Sequence, residues 1–73
     1  MAETSIVTCK KGMLVHVVRL LKNEEHIRKL ATFGILPGVK IKILQVDPAF
    51  VLKVGFTEIA LDYEIARNII VSK

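Results

Sequence analysis

Few side chains in this sequence could perform catalysis. Cys9 is the only cysteine, and His16 and His26 are the only histidines. Cys9 and His16 lie seven positions apart with a predicted turn between them, which matches neither a CxxC nor an HExxH arrangement. A catalytic site would need a nucleophile with a base, or paired carboxylates, at recognisable positions. The sequence therefore predicts a protein that is not an enzyme.

Metal binding is the alternative, in the form of a metal-responsive regulatory domain. Its candidate ligands are Cys9, His16 and Glu58, with Asp62 and Glu64 as further oxygen donors. A metal site needs several converging ligands, formed here within the chain or across a dimer, whereas a lone histidine is more often a polar residue on an outer face. We therefore expect no cofactor, and weak binding of a divalent metal ion stays open.

The elements that would position these residues fit one small domain over residues 1–73. Apolar residues make up 52% of the chain, and its core must come mainly from Val, Ile and Leu, which favour sheet. This excess of apolar residues on a small body is also compatible with a homo-oligomer. The polar N-terminus and the short apolar runs, far below the roughly 20 residues that cross a bilayer, predict a cytoplasmic protein.

The first half of the chain predicts a strand followed by a helix. Residues 1–8 have no clear pattern and are expected to be poorly ordered or to form a flanking strand, with Ile6 and Val7 adding a short strand or packing on a flank. A strand buried over much of its length is predicted from Met13 to Leu21, and Asn23 is a good N-cap for the helix that follows.

A helix stop and a tight turn follow directly. Gly34 fits the left-handed residue that ends many helices, and Pro37-Gly38 fits the centre of a type II turn. Next, Val39–Val46 alternates apolar and polar residues as a strand does, with Lys40 and Lys42 on the outer face.

The second half predicts further short strands, with a helical turn capped by Asp62. These strands are Phe50–Val54, Phe56–Leu61 after a hairpin at Gly55, and Asn68–Val71. The sum is a mainly β fold: a small barrel of about five strands, one inserted α-helix and a short C-terminal helical turn. An open sheet covered by the helix is the alternative, and an unpaired last strand would allow self-association.

Two stretches carry a family resemblance. The first is Gly34-Ile35-Leu36-Pro37-Gly38 running into Val39-Lys40-Ile41, directly after the capped helix. The second is Lys53–Leu61 followed by Glu64–Val71. At this spacing, and from about Cys9 to Val71, the chain resembles the FeoA family, small cytoplasmic proteins of bacterial ferrous-iron uptake.

The chain departs from the family pattern at three places. Lys11 stands where the family often has Pro, and Cys9 stands where Leu is usual. The loop from Val46 to Phe50 is shorter than that of many relatives. These differences leave the predicted fold unchanged but argue against transferring a binding site located in a loop.

The resemblance implies an SH3-like barrel with the helix inserted after the first strand, a fold similar to the C-terminal domain of DtxR-type iron-dependent repressors. It also implies a partner, the membrane transporter FeoB, whose cytoplasmic G domain hydrolyses GTP. The expected function is a non-enzymatic accessory protein that docks on the cytoplasmic part of FeoB. The candidate contact residues are Ile35, Leu36, Pro37 and Phe50, with core burial as the alternative for Leu36 and Phe50.

A third hypothesis is a nucleic-acid-binding small barrel that uses Lys40, Lys42 and Lys53. The formal net charge is +4, but the basic residues are scattered among acids and no recognised binding motif is present. We therefore expect no nucleic-acid partner.

Overall fold

The fold of this chain is one antiparallel sheet with two short helices. A computed structural model describes residues 3–21 and 24–73. The elements of these residues are β1 (Thr4–Ser5), a 3-10 turn (Ile6–Thr8), β2 (Leu14–Leu20), α1 (Glu24–Thr32), β3 (Lys40–Gln45), β4 (Phe50–Val54), β5 (Thr57–Leu61), α2 (Tyr63–Ala66) and β6 (Ile69–Ser72). The strand order in the sheet is β1-β6-β2-β3-β4-β5.

The sheet curves around one core. Strand pairing shifts register between Val17 and Arg19 in β2 and between Ile43 and Gln45 in β3, and such bulges bend a strand and increase its twist. The inward side chains of β2 to β6, together with Ile6, Leu30 and Ile35, form one buried cluster. The structure confirms the mainly β fold with an inserted helix and a short C-terminal helix.

Helix α1 ends as the sequence predicts. Gly34 has φ +86°, its N–H donates to Ala31 O (2.9 Å), and the N–H of Ile35 donates to Leu30 O (3.0 Å). This is a Schellman motif, and its accompanying apolar contact fits Leu30 and Ile35, which both lie in the core cluster. The predicted N-cap, Asn23, lies outside the described residues.

The turn that follows is fastened to β2. Gly38 has φ +92°, and the N–H of Val39 donates to Leu36 O (3.1 Å), which together make the predicted type II turn. The Gly38 N–H donates to Val17 O (2.7 Å), and the Val17 N–H donates to Val39 O (2.9 Å). Both groups of the Val17 backbone, its N–H and its carbonyl, therefore hold the turn against β2.

Three predictions about the strands need correction. Strand β2 is buried on one face only, because Val15 and Val17 point into the core while Leu14 and His16 face solvent. The N-terminal strand is Thr4–Ser5, and the predicted flank at Ile6 and Val7 is a 3-10 turn.

The last strand is also not a free edge. Strand β6 pairs with β1 on one side and with β2 on the other. Within the described residues, the edge strands of the sheet are β1 and β5. Strand β6 is therefore not available to pair with a second copy of the chain, contrary to the prediction of an unpaired last strand.

Candidate functional site

The turn after α1 divides the predicted contact residues into exposed and buried ones. Leu36 is 44% exposed, and Pro37 and Gly38 are also exposed, whereas Ile35 is completely buried. Ile35 points inward because its place in the Schellman motif directs its side chain onto the helix it follows. The surface of this turn is therefore Leu36 and Pro37, and the proposed direct contact by Ile35 is corrected.

Phe50 is likewise a core residue. It is only 4% exposed, and its ring centroid lies 6.1 Å from that of Tyr63 in α2. As the first residue of β4, it pairs with Leu61 of β5, so its side chain points to the inner face of the sheet. The alternative of core burial is correct for Phe50, which offers no surface to a partner.

The end of β4, which leads into the β4–β5 hairpin, lies close to the C-terminal end of α1. A Cβ placed on Gly34 would lie 3.6 Å from Cγ1 of Val54, at the end of β4. Phe56, at the hairpin tip, is fully exposed, and Phe33 is 39% exposed. We call Phe33, Leu36, Pro37 and Phe56 the turn surface.

Sequence reasoning missed Phe56 because it placed this residue inside a strand. The signal that could have found it is Gly55, which has φ +62° and permits a two-residue hairpin loop. Val54 pairs with Thr57, so Gly55 and Phe56 together form that loop. Phe56 then stands at the tip, where no neighbouring strand covers it.

The outward lysines of β3 and β4 form a second feature, which we call the basic depression. It is shallow, with a volume of about 440 Å³, and is lined by Leu14, Lys40, Lys42, Lys53 and Gly55. Lys42 lies opposite Leu14 in β2 and opposite Lys53 in β4. The three lysines that the sequence put forward for nucleic-acid binding are therefore brought together.

The predicted metal ligands do not converge. His16 is exposed in β2 opposite Lys40 and Ser72, and Glu58 is exposed in β5 opposite Lys53. Within residues 3–21 and 24–73, no three His, Cys, Asp or Glu side chains form a group that could hold a metal ion. The described residues of a single chain therefore do not support a metal site built from Cys9, His16 and Glu58.

The Cys9 thiol is poorly suited to chemistry. Cys9 is 8% exposed, and burial raises its pKa, partly offset by a hydrogen bond with Thr8 and by the charge of Lys73. Nucleophilic attack and metal binding both need the thiolate, which a raised pKa disfavours.

Comparison with known proteins identifies the family. A model of the FeoA domain matches residues 4–73. The chain belongs to the FeoA family. No curated protein sequence matches this FeoA-family chain significantly. None of the helices in the part of the chain that the structure describes is long and apolar enough to cross a membrane.

The FeoA-family chain is also similar to solved structures. The crystal structure of an iron uptake regulatory protein (FeoA) matches with a TM-score of 0.90 and 22% identity, over 99% of this chain and 97% of that one. T. acidophilum IdeR matches with a TM-score of 0.91 and 25% identity, over 99% of this chain and 34% of that one. A manganese-dependent transcriptional repressor matches with a TM-score of 0.86 and 18% identity, over 94% of this chain and 40% of that one. These likenesses confirm the SH3-like fold that the resemblance implied.

Proposed function

We propose that this FeoA-family protein is a non-enzymatic accessory protein of bacterial ferrous-iron uptake, which docks on the cytoplasmic part of a FeoB-type transporter. The observation that carries the proposal is the family match over residues 4–73, because the FeoA family is associated with this transport system. In this proposal the protein works in the cytoplasm and reaches the membrane only through the transporter.

The turn surface is the docking surface we propose. Leu36 and Phe56 present apolar side chains to solvent from two tight turns. The hydrogen bonds from the Gly38 N–H to Val17 O and from the Val17 N–H to Val39 O hold the first of these turns in place before any partner binds. A surface already held in its binding conformation loses little conformational entropy on association, which favours binding by a small contact area.

A role without catalysis agrees with the positions of the reactive groups. The Cys9 thiol is buried with a raised pKa, and the His16 imidazole lies on the opposite, solvent-facing side of its strand from the core. The alternative of a metal-responsive domain would need ligands from a second chain, since Cys9, His16 and Glu58 form no ligand group within the described chain.

The test is an NMR titration of the isotope-labelled protein with the cytoplasmic domain of the FeoB-type transporter from the same organism. We expect shift changes confined to the turn surface, with Leu36 and Phe56 among the residues affected. Leu36→Ala should weaken binding about fivefold or more, because truncating an important contact side chain costs over about 1 kcal/mol.

Leu21→Ala is the matched control, because Leu21 is a leucine with nearly the same exposure (41%) as Leu36 (44%) and is not part of the turn surface. Leu21 lies beyond the end of β2, where its backbone N–H donates to Asn68 O. It should bind like the wild type. No shift change at several hundred micromolar transporter domain would contradict docking on that domain. Equal weakening by Leu36→Ala and Leu21→Ala would contradict the surface assigned to it.

A further inference from the structure

The basic depression brings three lysines together, with the carboxylate of Glu58 opposite Lys53 on the neighbouring strand β5. Lys42 and Lys53 are direct cross-strand neighbours, and Lys40 lies two residues before Lys42 on the same face of β3. Like charges directly opposite in a sheet are destabilising. Among the described residues, the ion pairs join Arg19 to Glu3 and Arg67 to Glu64, so they do not include these lysines.

An apolar side chain lies within this charged surface. Leu14 is 56% exposed, and it lies directly opposite Lys42 on the neighbouring strand. The depression therefore combines ammonium groups with an exposed aliphatic group. A ligand that complements both must carry negative charge and apolar surface close together.

We propose that the basic depression binds an extended acidic segment of a partner protein, with carboxylates on the lysines and an apolar side chain on Leu14. The inference rests on the proposed function, since it names the chemistry by which the transporter would be recognised. Residues i and i+2 of a strand are about 7 Å apart. An extended peptide has the same repeat, so carboxylates two positions apart match Lys40 and Lys42.

The lining of the depression favours a peptide over single-stranded nucleic acid. Binding to single-stranded nucleic acid typically combines basic residues with aromatic side chains on which bases stack, and the five residues that line this depression include no aromatic. A narrow extended chain can place its side chains on the lysines and on Leu14 together.

The test uses a fluorescein-labelled peptide of nine residues, with glutamates two positions apart around a central leucine and glycine or serine elsewhere. Binding to the full chain is followed by fluorescence anisotropy. We expect saturable binding that weakens between 50 and 200 mM salt, about two- to fivefold weaker binding for Lys42→Gln, and a similar loss for Leu14→Ser.

Lys29→Gln, on the exposed side of α1, is the matched control and should bind like the wild type. The proposal is overturned if the peptide fails to bind at about 1 mM, or if a peptide with glutamine in place of glutamate binds equally well. It is also overturned if single-stranded DNA or vesicles of anionic lipid bind more tightly than the peptide and with the same dependence on Lys42.

A second titration separates this inference from the proposed function. If the transporter domain binds wild type and Lys42→Gln equally while Leu36→Ala weakens binding, docking is supported and the acidic-segment inference fails. If the transporter domain does not bind but the acidic peptide does, the inference about the depression is supported and the proposed partner is wrong.

Discussion

Truncation of the neighbouring residues Ile35 and Leu36 should change the free energy of unfolding by very different amounts. Ile35 is completely buried in the core cluster, so Ile35→Ala removes methylene groups from a packed interior and leaves a cavity. Substitutions of this kind cost about 2–5 kcal/mol. The whole domain of 73 residues is expected to have a free energy of unfolding of about 4–11 kcal/mol. Ile35→Ala therefore removes a large part of the stability, and Leu36→Ala, at a 44% exposed side chain, changes it by about 0.5 kcal/mol or less.

Urea denaturation followed by far-UV circular dichroism measures both variants, because the chain has no Trp to serve as a fluorescence probe. We also expect Ile35→Ala to lower the thermal midpoint by at least about 8 °C, since 1 kcal/mol corresponds to about 4–8 °C in a domain of this size. Ile35→Val, at a cost of about 0.5–1.5 kcal/mol, keeps the comparison measurable if the alanine variant does not fold. A loss of stability in Leu36→Ala larger than that in Ile35→Val would refute the assignment of one side chain to the core and the other to the surface.

Two further predictions concern the Gly38 turn and the Cys9 thiol. Gly38→Ala should lower the free energy of unfolding by about 1–2 kcal/mol, because φ is +92° and the added Cβ would have no atom within 4 Å outside its two chain neighbours, so the cost is backbone strain. Gly38→Asn should lose less in the same urea titration, and an alanine variant as stable as wild type would contradict the positive φ. Since burial raises the pKa of Cys9 above that of the unfolded thiol, its contribution to stability is complete below the unfolded pKa and is lost as pH rises through the folded pKa. The urea midpoint of wild type should therefore fall more steeply at alkaline pH than that of Cys9→Ala, and parallel pH profiles would contradict this.

Much of the fold could be predicted because its signals are local. The end of α1 at Gly34 and the type II turn at Pro37-Gly38 depend on residues that lie within a few positions of one another. The alternation of Lys40 and Lys42 with Ile41 and Ile43 predicts which face of β3 is buried, because successive side chains of a strand point to opposite faces.

The candidate site could be predicted only in part. Leu36 and Pro37 are exposed as a docking surface requires, but Ile35 and Phe50, chosen by the same reasoning, are core residues. Apolar character and nearness to a turn do not separate the two groups. The position of Ile35 directly after the helix-ending Gly34 is the local signal of its burial. Phe56 was missed because strand periodicity does not show where a hairpin loop begins.

Local chemistry thus specified the type II turn, the helix end and the inward face of β3, since these depend on interactions between residues close in sequence. Only the tertiary structure decided the pairing of Thr4 with Val71, which covers β6, and the pairing of Lys42 with Leu14 and Lys53, which forms the basic depression. Both depend on which strands become neighbours in the curved sheet. That choice is made by burying one core shared between distant segments, and no short stretch of the sequence contains it.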